Sequence, residues 1–100
     1  MTLMNSADID LNLLRVLDAL LDTGSVVGAA AQLHLSSPAV SRSLGRLRKV
    51  LDDPLFVRAG RELVPTELAK SLRVPTQAAL GEVLKVLQPS RSSDPINLKR

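Results

Sequence analysis

Residues 36–51, S-S-P-A-V-S-R-S-L-G-R-L-R-K-V-L, constrain this chain more than any other stretch. The apolar residues Val40, Leu44, Leu47 and Leu51 recur at spacings of four, three and four, which puts them on one stripe of an α-helix. Ser37, Ser41, Arg42, Gly45, Arg46, Arg48 and Lys49 take the remaining faces. Ser36 or Ser37 suits the N-cap, and Pro38 suits the first turn, where a missing N–H costs little. The spacing predicts a helix of about four turns, on the order of 22 Å long. Such a helix buries a leucine seam and shows water a hydroxyl-rich N-terminus and a basic flank. That shape fits the major groove of duplex DNA, with the N-terminal residues toward the bases.

Apolar residues make up 45% of the 100-residue chain, enough for a real core in one small domain. Phe56 is the only aromatic residue, so that core must be aliphatic, and the abundance of Leu and Ala favours helices. The fold class expected is mainly α. Cysteine is absent, which removes disulfides, a thiol nucleophile and a thiolate zinc site. No apolar run approaches 18 residues and the N-terminus has no export pattern, so a soluble, cytoplasmic protein without membrane contact is expected.

Charge is unevenly spread. Residues 1–35 hold one base and four acids, whereas residues 36–61 hold six bases (Arg42, Arg46, Arg48, Lys49, Arg58, Arg61) and two acids. The positive charge therefore centres on the groove-fitting helix and the ten residues after it, the footprint expected of a polyanion partner.

A first helix is expected from a cap at Asp8 or Asp10 to about Asp22, with Leu13, Val16, Leu17, Leu20 and Leu21 on one broad face. Thr23-Gly24 ends it. Ser25 then caps a second helix, V-V-G-A-A-A-Q-L, whose alanines allow a neighbour close and whose Gly28 points to tight packing. Only His34, Leu35 and Ser36 separate it from the basic helix, which makes a helix-turn-helix. Leu55-Phe56-Val57-Arg58 and Glu62-Leu63-Val64 flank Ala59-Gly60-Arg61 as a β-hairpin. Beside a helix-turn-helix such a hairpin is a wing. It carries Arg58 and Arg61 near its tip, where an arginine can enter the narrow minor groove.

A fourth helix is expected from a Thr66 cap to about Gln88, with Glu67 at its positive end. Leu68, Leu72, Ala79, Val83 and Val86 form one stripe and Leu80, Leu84 and Leu87 an adjacent one. Together they exceed what a three-helix body covers, so the surplus is expected to meet a second subunit through Leu72, Ala79, Leu80, Val83, Leu84 and Leu87. Pro75 removes the bond to the Ser71 carbonyl, and a kink, or a full break at Val74-Pro75, is expected there. The division is therefore residues 1–65 as winged helix-turn-helix, 66–88 as linker and dimerisation helix, and 89–100 as linker or disordered tail.

Catalysis is poorly supported. His34 sits in a turn without a metal-sharing companion, Asp52-Asp53 diverge as neighbours and end a helix, and the serines lack a base. No catalytic residue, metal ligand or cofactor is expected. The alternative to DNA binding is a helical interaction module that pairs with another regulator through the fourth helix. The six bases in residues 36–61 argue against that as its sole function.

In this order, D-L-N-L-L, G-S-V-V-G-A-A-A-Q-L-H-L-S-S-P-A-V-S-R-S-L-G-R-L, D-P-L-F-V-R and P-T-E-L-A resemble the DNA-binding domain of LysR-type transcriptional regulators over roughly residues 9–88. The resemblance implies a winged helix-turn-helix that dimerises through its last helix and places two recognition helices on a pseudo-palindromic site. It implies base-edge roles for Ser37, Pro38, Ser41 and Arg42. It implies phosphate contacts for Ser25, Ser36 and Arg46, and makes Arg58 the wing residue of L-F-V-R; Lys49 on the basic flank and Arg61 near the hairpin tip are expected at phosphate or minor groove beside them. Four departures stand out: Ser37 replaces a frequent Gln, Arg48 a frequent Glu, Asp52 a frequent Gly, and Leu68-Ala69 a frequent Ala-Gly. Typical members continue into an effector-binding domain, where any small-molecule effector is expected.

Overall fold

Asp10 opens the fold, accepting the Asn12 N–H on Oδ1 at 2.9 Å and the Leu13 N–H on its carbonyl at 2.9 Å. The structure, a computed structural model, describes residues 10–88. Asp8 as an alternative cap, and the tail at 89–100, lie outside the described residues. Helix α1 (Asn12–Thr23) buries the face its periodicity marks, Leu13, Val16, Leu17, Leu20 and Leu21, together with Ala19. It ends at Gly24, whose φ of 72° lets its N–H reach the Leu20 carbonyl.

Helix α2 (Val26–Leu33) is capped by Ser25, whose Oγ accepts the Gly28 N–H at 2.8 Å. The tight packing expected at Gly28 is real, and the neighbours are its own cap Ser25 and Thr23, the last residue of α1. A Cβ there would lie 2.8 Å from Ser25 Oγ and 2.9 Å from Thr23 Cβ. Gly28→Ala gains roughly 1 kcal/mol of helix propensity yet must displace the capping oxygen. The expected result is a net loss of about 1–2 kcal/mol, read as a lower urea midpoint at unchanged m value. A gain in stability would show that the turn yields freely.

Helix α3 (Ser37–Leu51) follows after the left-handed His34, φ 59°. Ser36 is its cap, accepting the Ala39 N–H at 3.2 Å, with Pro38 in the first turn. Val40, Leu44 and Leu47 are buried against α1 and α2, and Leu51 packs on the edge of that core. Asp52 ends α3 in the left-handed region at φ 51°, a conformation that Asp tolerates better than most non-glycine residues.

Strands β1 (Phe56–Ala59) and β2 (Glu62–Pro65) pair antiparallel, Phe56 opposite Pro65 and Ala59 opposite Glu62. The turn is two residues, Gly60-Arg61, shorter than the three expected, with Gly60 at φ 66° as its first position requires. The hairpin is tied to the body at several points. Leu63 N–H donates to the Gly24 carbonyl at 2.9 Å, and Phe56 and Leu63 enter the core. Leu55 is fully buried and held at φ 64°, with its N–H on Asp53 Oδ2 at 2.8 Å and its carbonyl accepting Thr66 N–H at 2.8 Å.

The single helix expected over 66–88 is two. Helix α4 (Glu67–Ser71), capped by Thr66, gives way at Leu72 to α5 (Arg73–Leu87). In one continuous helix Pro75 would collide with the Ser71 carbonyl and leave it unbonded. Breaking at Leu72, ahead of Val74-Pro75, puts Pro75 within the first turn of α5, where its lack of an N–H is harmless. The break also turns Leu72 onto the domain's own core, so the stripe drawn from Leu68 through Val86 does not exist as one surface. Arg73 anchors α5 by donating from Nη2 to the Leu21 carbonyl at 2.9 Å, one of the carbonyls left open at the end of α1.

Candidate nucleic-acid interface

The site is built on α3. Its apolar back is spent on the core, so the opposite face must meet solvent. Ser41, Arg42, Arg46 and Lys49 are exposed along it, with Ser37 half-buried and Pro38 exposed at its start. The side chains of Arg42 and Lys49 make no hydrogen bond or ion pair with other described residues, and neither do those of Arg58 and Arg61 on the wing. Four cationic side chains therefore stand free: Arg42 in the second turn of α3, Lys49 in its last turn, and Arg58 and Arg61 on the wing.

Arg46 differs. Its Nη1 lies 3.4 Å from Asp10 Oδ2, across from the start of α1. Both side chains are partly exposed, and such a pair is weak in water, so Arg46 can exchange this carboxylate for another anion at little cost. Ser25 and Ser36, assigned to phosphate by the resemblance, are the caps of α2 and α3. Each oxygen accepts an N–H, and its own proton remains available to donate. Arg58 stands opposite Leu63 on β1, and Arg61 is in the turn.

Three residues that position this surface escape the sequence reading. Arg48, one of the six bases that the charge pattern turns toward DNA, instead donates from Nε to the Pro54 carbonyl at 2.8 Å and from Nη2 to the Phe56 carbonyl at 3.1 Å. A basic residue in the last turn of a helix is a known capper of carbonyls. Its partners, six and eight residues on, depend on how the loop returns. Asp53 joins three segments, since its Oδ2 also accepts the Thr66 hydroxyl proton at 2.8 Å. The bond from Asp53 to Leu55 N–H two residues on is the Asx pattern, visible in D-P-L. Arg73 carries no such signal, because its acceptor is 52 residues away.

The second surface is a groove between α5 and α1, lined by Leu11, Leu14, Leu33, Leu80, Val83 and Leu87. Leu80 and Val83 are half-buried in it and Ala79 is half-buried on the same helix, whereas Leu84 and Leu87 are exposed, at 53% and 70%. Val86, at 75%, continues the exposed apolar surface. No helix among the described residues is long and apolar enough to cross a membrane.

Residues 11–70 match the family described as bacterial regulatory helix-turn-helix protein, lysR family. The chain is 40% identical over 97 residues to nodulation protein D 1 of Bradyrhizobium sp. (strain NC92). It is 42% identical over 97 residues to the HTH-type transcriptional activator NahR of Pseudomonas putida. Each alignment takes in 97% of this chain but only 31% and 32% of those relatives, so the chain spans about a third of their length. Among solved structures, a probable transcriptional regulator of Pseudomonas aeruginosa, PA0477, superposes with a TM-score of 0.73 at 44% identity. That match takes in 83% of this chain and 29% of the other. The DNA-binding domain of BenM, solved on its benA site 1 DNA, superposes at 0.74 with 23% identity, over 83% of this chain and 93% of that one. An exposed basic helix on a three-helix body, a two-stranded wing and a family match across both agree: the chain belongs to the LysR family of bacterial helix-turn-helix regulators and holds its DNA-binding domain.

Proposed function

We propose that the chain binds duplex DNA sequence-specifically as a homodimer, as the DNA-reading part of a cytoplasmic, nucleoid-associated transcription regulator. The observation that carries this reading is the face of α3, where Ser41 and Arg42 stand exposed and unpartnered one turn from the helix start. Ser37, Pro38, Ser41 and Arg42 then meet base edges in the major groove. Ser25, Ser36, Arg46 and Lys49 meet phosphates, and Arg58 and Arg61 meet the minor groove, where the potential is most negative. Two copies join through the α5 surface of Ala79, Leu80, Val83, Leu84 and Leu87. Leu72, used by its own core, takes no part. A small-molecule effector, where the regulator uses one, belongs to a further domain, and no residue here is assigned to catalysis, a metal or a cofactor.

Selection of duplexes from a random pool, followed by footprinting, tests this. The expected product is a pseudo-palindrome with half-sites about one helical turn, roughly 34–36 Å, apart. Affinity on it is expected to fall steeply with salt, log K dropping by roughly 0.9 per unit of log salt for each phosphate neutralised. No enriched sequence, or a flat salt response, would overturn the reading.

A further inference from the structure

We infer that Arg48 is a positioning residue for DNA recognition: its guanidinium fork fixes the aim of the wing relative to the recognition helix without touching DNA. The inference rests on the reading that the wing lies in the minor groove.

The hairpin backbone supplies the reason. Thr66 N–H donates to the Leu55 carbonyl, one step outside the Phe56–Pro65 pair. That makes Phe56 and Pro65 a pair whose own N–H and carbonyl groups point away from each other. The Phe56 N–H turns back to the Pro54 carbonyl at 2.7 Å, and the Phe56 carbonyl is left without a ladder partner. Phe56 is 1% exposed, so an unmet carbonyl there is costly. Arg48 meets it from α3, and its Nε meets the Pro54 carbonyl at the same time. The Arg48 carbonyl in turn accepts the N–H groups of Asp52 and Asp53, so backbone and side chain of one residue hold both ends of the α3–β1 connection.

Two features make this more than a local staple. The fork spans Pro54 and Phe56, immediately before Val57-Arg58, so a small rotation of β1 about this point is enlarged at Arg58 and at the Gly60-Arg61 turn. The other side of the hairpin is held separately, by Leu63 N–H on Gly24 and by Asp53 on Thr66. Losing the fork therefore leaves the wing folded and attached but free to tilt. A lysine at this position keeps the charge and presents a single ammonium group, which cannot reproduce two planar donors at these angles.

The experiment is a double-mutant cycle on the 100-residue chain with a duplex selected by the native protein: native, Arg48→Lys, Arg58→Ala and the pair, at one salt concentration. Hydroxyl-radical protection reads the minor groove at the flanks, and dimethyl sulfate protection reads guanines in the major groove. Urea midpoints read folding. Arg48→Lys is expected to weaken binding roughly fivefold, to lose flank protection while guanine protection persists, and to leave Arg58→Ala with little further effect. Full additivity of the two substitutions, or parallel loss of both protections together with the urea midpoint, would overturn the inference and leave Arg48 a fold-stabilising residue only. If Arg58→Ala in the native background changes neither affinity nor flank protection, the minor-groove reading of the wing is itself wrong, and the inference falls with it.

Discussion

Phe56→Ala is expected to lower the unfolding free energy by about 3–5 kcal/mol, the largest stability loss of any single truncation in this domain. Phe56 is the only aromatic side chain and is 1% exposed, packed in a core otherwise made of Leu, Val and Ala. Small aliphatic neighbours on short, well-capped helices have little freedom to close the hole. The residue also opens β1 and joins it to α3 through the Arg48 fork, so the cavity lies where wing and helix body meet. Domains of this size hold on the order of 5–15 kcal/mol in all, and the variant should be partly unfolded at ambient temperature. The neighbouring Val57, 51% exposed, sets the contrast, since Val57→Ala should stay within about 0.5 kcal/mol. Urea titrations of both decide it. Equal effects would mean that the wing does not share the core.

Arg42→Ala is expected to produce the largest single loss in DNA affinity, about 1–3 kcal/mol if the guanidinium bridges the O6 and N7 of a guanine. The structure gives a reason to rank it above Arg46 and Arg48. Arg42 is exposed within the first half of α3 and has no partner among the described residues, so it brings all its donors to the interface. Arg46 must first leave Asp10, and Arg48 is committed to two carbonyls. The loss should be confined to one base position, so that the variant binds the selected duplex and a duplex altered at that position equally. Lys49→Ala, by contrast, should weaken all sequences alike and lower the salt slope by about one phosphate. A uniform loss for Arg42→Ala would move it to the phosphate class.

The elements were legible because local rules and burial agreed. Ser25, Ser36 and Thr66 each cap the helix they precede, and Gly24 closes α1. The five apolar positions read on α1 and three of the four on α3 are buried. The fourth helix failed for a reason also local, yet decided elsewhere. Pro75 declares a conflict with Ser71, but where the chain yields depends on which residue gains by turning inward. That residue is Leu72, which reaches the core only after the break.

Periodicity, caps and charge thus settled by themselves that this chain makes a helix-turn-helix with a basic, hydroxyl-faced third helix and a hairpin behind it, because each of those signals acts over a turn or two of backbone. Tertiary structure alone decided which cations remain free. Arg48 and Arg42 are the same residue type on the same helix, six positions apart, and although the last-turn position of Arg48 suits a carbonyl cap, it does not say which carbonyls arrive. The returning loop puts two carbonyls, of Pro54 and Phe56, within reach of the first, whereas the second has no side-chain partner among the described residues. A hydrogen bond forms between groups that the fold brings to within about 3 Å, and a sequence cannot state that distance until the loop has closed.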